Sequence, residues 1–279
     1  MKKQFINCRG KLIDLSTPLI MGILNITPDS FYDGGKYSTE KDLIKQTEKM
    51  ISEGAVIIDV GAVSTKPGAE NITEEEERKR LFPFLEKLIK RFPETNFSVD
   101  TFRSGVAEMA IDKGAAIIND ISAGSFDEKM FDVIAKYNVP YIIMHIKGTP
   151  QNMQKNPIYE NIVKEIMFYF SEKINALKLR GVNDIIIDPG FGFGKTVEHN
   201  YEILKNLKTF EVFKMPILVG ISRKSMINKV LNIDSEDALN ATTSLNTFAL
   251  LNGANILRVH DVKEAMEAVK IVKMFETNK

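Results

Sequence analysis

Cysteine is nearly absent from this 279-residue chain. Cys8 stands alone, which excludes an internal disulfide and a cysteine-built metal cluster and leaves the thiol as a small hydrophobe in a hairpin. An excess of charge of one sign is missing too: 37 Lys+Arg offset 37 Asp+Glu for a formal net charge of +0, with no basic block. Nucleic acid and anionic membrane are therefore not expected partners. No apolar run approaches the roughly 18 to 20 residues of a membrane span. The opening MKKQFINCRGKLIDL has no continuous apolar core behind Lys2 and Lys3, so it does not read as a secretory signal, and the cytoplasm is the expected compartment. Linkers, low-complexity tracts and sequence repeats are also lacking, and 44% hydrophobic residues suffice for one large core. One domain over 1–279 is expected.

What the chain does have is a series of short apolar runs that each end in a polar residue and are each followed by a helical pattern. They are PLIMGILN ending at Asn25, VIID at Asp59, FSVD at Asp100, AIIND at Asn119 and Asp120, YIIMH at His145, IIID at Asp188, ILVGISRK at Ser222 to Lys224, and ILRVH at Arg258 and His260. Apolar runs of this length beside Gly or Pro read as strands buried on both faces. Eight strand–helix alternations imply parallel pairing and close a (β/α)₈ TIM barrel, an α/β fold whose active site lies at the C-terminal strand ends. The polar residues are thus expected to meet at one mouth. Residues 4–16 read as a β-hairpin turning at Arg9-Gly10, so that 1–17 closes the N-terminal end and 18–279 forms the barrel. Helices are expected over 158–180 and near 103–113, 127–137, 196–208, 236–251 and 261–276, with another stopping at Gly54. Thr73 and Glu76 predict a capping box, and Glu74 to Glu77 a solvated helix start rather than a metal site. The loops 27–38 and 61–71 are long for a barrel and suit lids or substrate clamps.

Arg258 and His260 lie two apart on the last strand and so share a face. An inward Arg is rare unless paired, and this pair suggests an oxyanion or phosphate site where barrels commonly hold phosphate. Ser222-Arg223-Lys224-Ser225 adds cations and hydroxyls suited to an anionic or carbonyl-bearing ligand, with Arg223 the member best explained as a solvated turn. Asp100, Asn119 and Asp188 suit a ligand with several N–H donors and a few acceptors, such as a fused aminopyrimidinone, where a carboxylate accepts two parallel N–H bonds and the Asn reads a mixed pair. A carboxylate cage for a divalent cation is the competing reading. DPGFGFGKT, residues 188–196, fails both the Walker and the dinucleotide spacing and reads as a tight strand-to-helix turn. His145 stays open between ligand, base and structural residue. His199 reads as solvent-facing on a helix.

Taken together, MGILNITPDSFYDGG, STKPGA, SVDT, IINDISAG, MHIKGTP, DPGFGFGK, GISRKSMI and RVHDV resemble the dihydropteroate synthase family, in order, from about residue 18 to 275. The resemblance implies a (β/α)₈ barrel that condenses 6-hydroxymethyl-7,8-dihydropterin diphosphate with 4-aminobenzoate, giving 7,8-dihydropteroate and diphosphate. It implies that Asp100, Asn119, Asp188 and Lys224 hold the pterin and that Asn25, Arg258 and His260 hold the diphosphate, with Mg²⁺ on Asn25. Phe31, Thr65, Lys66, Pro67, Phe193 and Ser225 would form the aminobenzoate side. Asp33, Lys224, Arg258 and His260 would serve the chemistry. A homodimer is implied, with apolar residues of the late helices as its contacts. The chain departs from the family's D-x-G-G-E-S-T-R-P-G at Val63 and Lys66, which bears on aminobenzoate rather than pterin. Alternatives are a pterin-binding methyltransferase barrel, which has no need of the SRKS and RVH segments, and a non-catalytic paralogue.

Overall fold

The computed structural model describes residues 5–26, 40–64 and 72–277. Strands β1 (Phe5–Cys8) and β2 (Lys11–Asp14) pair antiparallel around Arg9 and Gly10, whose φ angles of 53° and 81° make the turn. There follow β3 (Leu19–Asn25), β4 (Ile57–Gly61), β5 (Asn96–Asp100), β6 (Ile117–Asp120), β7 (Tyr141–Met144), β8 (Ile185–Asp188), β9 (Leu218–Val219) and β10 (Ile256–Val259). These eight form one parallel sheet in the order β8-β7-β6-β5-β4-β3-β10-β9. A parallel bridge between Ile187 and Ile217 joins the two ends. The result is the expected (β/α)₈ barrel.

Register sorts the side chains into two sets. Met21, Ile57, Ile117, Ile142, Ile186, Leu218 and Ile256 point inward and form one cluster with Ile6, Cys8 and Leu15 of the hairpin. The hairpin thus covers the N-terminal end of the interior, and burial pushes the Cys8 thiol up to about 12. The alternate residues, among them Ile58, Val60, Phe97, Val99, Ile118 and Tyr141, face the helices. With both faces buried, the strands need no polar alternation.

The helices are α1 (Glu40–Ser52), α2 (Glu74–Arg91), α3 (Ser104–Asp112), α4 (Met130–Tyr137), α5 (Ile162–Leu179), α6 (Val197–Lys205), α7 (Ser225–Leu231), α8 (Leu239–Leu251) and α9 (Val262–Thr277). Helix α5 starts later than expected, because Asn161 caps it: its Oδ1 accepts from Lys164 N at 3.0 Å. The short α7 between β9 and α8 was not anticipated. Only half of the Thr73 capping box forms. Thr73 Oγ1 accepts from Glu76 N at 3.2 Å, while the Glu76 carboxylate takes Arg80 Nε at 2.7 Å instead of turning back. Glu77 corrects the solvated reading of the acidic run: it is fully buried and paired with Arg103.

Candidate functional site

The mouth is built in layers. Asn25, Gly61, Asp100 and Asn119 occupy one row of register partners across β3 to β6. One layer deeper, Ile23, Asp59, Ser98 and Ile117 form the next row. The missing side chain at Gly61 leaves the space between Asn25 and Asp100 open: a Cβ there would stand 3.7 Å from Asn25 Oδ1 and 3.5 Å from Asp100 Cβ.

Arg258 reaches from β10 into this row. Its Nε donates to Asp59 Oδ2 at 2.6 Å and its Nη2 to Asp100 Oδ2 at 2.9 Å. Asp59 Oδ2 also accepts from Asn119 Nδ2 at 3.0 Å. Four of the barrel's strands are therefore tied through one guanidinium and one carboxylate oxygen. Burial pushes the Asp100 carboxyl up to about 7, against the pull of Arg258. Across the mouth Asp188 Oδ1 accepts from Gly190 N at 2.7 Å, and burial raises its pKa with Lys224 opposing. Lys224 Nζ donates to Phe191 O at 2.5 Å and lies 4.8 Å from the centre of the Phe193 ring. Burial brings its ammonium down to about 8, with Asp188 holding it up. Ser222 Oγ and His260 Nδ1 are 3.1 Å apart, and His260 stands exposed at the rim.

The structure brings Asn25, Asp100, Asn119, Asp188, Lys224, Arg258 and His260 to the same strand ends, with Phe193 and Ser225 on the adjoining loop and helix start. Phe31, Asp33, Thr65, Lys66 and Pro67 lie outside the described residues. Three polar residues of the strand-end series do not join. Asp120 turns to the helix layer, where it accepts from Tyr141 Oη at 2.6 Å and from Gly124 N and Ser122 N at 2.7 Å each. Arg223 turns away on a φ of 55° and makes a two-pronged ion pair with Asp261, 2.8 Å for each bond. It is a structural tie, not a solvated turn. His145 packs edge-on to Tyr169, ring centres 5.0 Å apart, and its Nδ1 is 3.0 Å from Lys195 Nζ. Burial first, then Lys195, holds its pKa well below the usual histidine value.

The glycine-rich segment makes the tight strand-to-helix turn expected of it, and its lysine is part of that structure. Gly190, Gly192 and Gly194 have φ of 73°, 83° and 64°, so the chain reverses within a few residues. Lys195 is buried, with Nζ on the carbonyls of His145 at 3.1 Å and Phe193 at 2.9 Å. It ties the turns after β7 and β8 together and does not present a phosphate-binding ammonium. His199 corrects its solvent-facing reading: its ring accepts from Thr196 N at 3.2 Å to close a capping box on α6, and it packs against Tyr159. Two residues at this end went unassigned by sequence reasoning, Asp59 and Lys195. Asp59 had a signal, as a carboxylate inside an otherwise apolar strand; for Lys195 only the glycine-rich context was available.

Residues 21–260 match the family model described as pterin binding enzyme. The chain is 43% identical to dihydropteroate synthase of Escherichia coli K12, covering 95% of this chain and 94% of that protein. The chain belongs to the dihydropteroate synthase family. A dihydropteroate synthase of Streptococcus pyogenes is 39% identical over 94% of this chain and 97% of its own. Among solved structures, Yersinia pestis dihydropteroate synthase in complex with a sulfonamide drug superposes with a TM-score of 0.93 at 39% identity, covering 98% and 99% of the two chains. The Xanthomonas albilineans dihydropteroate synthase with 4-aminobenzoic acid gives 0.90 at 33% identity over 98% of each.

Proposed function

We propose that this family member, a transferase of folate biosynthesis, condenses 6-hydroxymethyl-7,8-dihydropterin diphosphate with 4-aminobenzoate and releases diphosphate. The observation that carries the reading is the ring of Asp100, Asn119 and Asp188 around one mouth, with Arg258 and Lys224 set among them. Three acceptors facing inward match the N–H-rich edge of an aminopyrimidinone, and Lys224 supplies the donor for its carbonyl side. The breaking bond joins a methylene to diphosphate, so catalysis requires charge stabilisation on the leaving oxygens. His260 at the rim and the side of Arg258 not engaged by Asp59 and Asp100 face that task. The amine nucleophile is neutral at pH 7 and needs positioning rather than activation. Phe193, held beside Lys224, offers an apolar wall for the aminobenzoate ring.

No cluster of three or more His, Cys, Asp or Glu that could hold a metal occurs among the described residues. Mg²⁺ binds through few protein oxygens when substrate phosphates complete its shell. The hard oxygen of Asn25, beside the space left by Gly61, fits that mode. Bound there, Mg²⁺ would neutralise charge on the leaving diphosphate. No described helix is long and apolar enough to cross a membrane, and we place the reaction in the cytoplasm. Phe248 and Leu251 on α8 and Ile271 on α9 are 55%, 41% and 67% exposed, which supports a homodimer through these helices. Sedimentation of the parent and of Phe248→Glu tests it, since a monomeric parent ends the proposal. Turnover of the two substrates tests the reaction: dihydropteroate is expected. Binding of pterin without product makes the chain a non-catalytic paralogue.

A further inference from the structure

We propose that Asp59 is a positioning residue that fixes which side of the Asn119 amide faces the ligand. The proposal rests on the pterin reading of the mouth. A carboxylate only accepts hydrogen bonds. Because Asp59 Oδ2 takes one N–H of Asn119 Nδ2 at 3.0 Å, the amide is fixed, with its oxygen on one side and its second N–H on the other. Turning the amide over would set two oxygens against each other at that distance. Asn119 therefore presents its oxygen to a ring N–H and only its second N–H to a ring acceptor, in an order that cannot be reversed, and a ring with an acceptor set against that oxygen is rejected. The same oxygen of Asp59 holds Arg258 Nε at 2.6 Å, which fixes the guanidinium.

Stability alone does not account for an aspartate at this position. Asp59 has no exposure, and its Oδ1 is buried with no hydrogen-bond partner. Ile23, beside it in the same interior row, is apolar. A buried ion pair such as Asp59–Arg258 is commonly replaced as a whole by hydrophobic groups with no loss of stability, and the unmet Asp59 Oδ1 adds a further cost. What the carboxylate supplies that an apolar side chain cannot is a fixed orientation of its two donors.

The test is a double-mutant cycle on binding of 6-hydroxymethylpterin, measured by titration calorimetry. Asp59→Ala removes the acceptor, and Asp59→Asn keeps an oxygen that Arg258 Nε and Asn119 Nδ2 can both reach. Each is combined with Asn119→Ala. Asp59→Ala is expected to weaken pterin binding about tenfold when Asn119 is present and no more than about twofold when it is absent, while Asp59→Asn stays within about threefold of the parent. An equal loss in both backgrounds, or none in either, overturns the proposal. Asp59→Val, which fills the space in a strand, repeats the cycle if the alanine variant does not fold. Failure of both to fold, with Asp59→Asn binding like the parent, makes Asp59 a folding residue only and overturns the proposal as well. If the parent itself binds no pterin, the reading of the mouth has failed, which is a different result from additivity in a parent that binds.

Discussion

Replacing Lys224 by methionine should make the ligand-free protein more stable at neutral pH while it disables the site. Burial lowers this ammonium from 10.5 to about 8, and each pH unit of difference between the folded and unfolded chain is worth about 1.4 kcal/mol. The charged lysine thus costs the fold up to about 3 kcal/mol. The sign follows from proton binding. Between about pH 8 and 10.5 the unfolded chain holds the proton and the folded chain has released it, so stability climbs with pH across that window. Below about 8 the penalty is present in full. Methionine keeps the length of the side chain but leaves the Phe191 carbonyl without its donor, which returns about 1 to 2 kcal/mol; the pull of Asp188 is already contained in the lowered lysine value. A net gain of about 1 to 2 kcal/mol corresponds to a Tm increase of roughly 2 to 5 °C in a domain of this size. Thermal melts followed by circular dichroism at pH 7 and again above pH 9 give the comparison, and pterin titration gives the loss of function. A Tm below that of the parent at pH 7, or a gain that does not shrink as pH rises, refutes the reasoning.

Arg258→Ala should lower stability by about 3 to 5 kcal/mol in urea titration, because Asp59 and Asp100 are left buried without their partner. Its ligand-binding defect must therefore be measured on protein shown to be folded. Asp188→Asn should abolish pterin binding with Tm nearly unchanged, since burial already penalises the carboxylate and the amide oxygen can still accept from Gly190 N; an unchanged pterin affinity would remove Asp188 from the recognised edge. Gly190→Ala should prevent folding or cost several kcal/mol, because φ is 73° and a Cβ would collide with the His145 carbonyl oxygen. Gly10→Ala, at φ 81° with open space around it, should cost only about 1 kcal/mol in the same melts.

The barrel was legible because each strand is buried on both faces, so that the chain shows unbroken apolar runs of strand length, each ended by a polar residue. Less legible was the end of each helix, where local hydrogen bonding decides. Asn161 delays α5, and Glu165 Oε1 accepts from Glu160 N at 2.8 Å, holding the preceding residues out of the helix. Helix α7 is only seven residues long, about two turns, too few for a periodic pattern to stand out from the SRKSMI segment. Composition placed Glu77 with its acidic neighbours, but position on the helix placed it against Arg103.

The site was legible to the extent that strand parity could be known. Asn119 and Asp120 are equally polar and adjacent, yet one faces the barrel mouth and the other the helices, and nothing in AIIND alone says which. The register does: Asn119 pairs with Asp100, which reaches Arg258 inside the barrel, so Asp120 must point out. The same counting places Asp59 two residues before Gly61 and hence inside, one layer below Asp100. A parallel barrel therefore carries a rule usable on sequence once a single inward residue is fixed. It separates carboxylates that read a ligand from those that cap a turn, and it marks the second layer that holds the first in place. That second layer is where polar residues are costly to stability, as the unpaired Asp59 oxygen shows, and where a carboxylate can orient the donors it holds, as Asp59 Oδ2 does with Asn119 and Arg258.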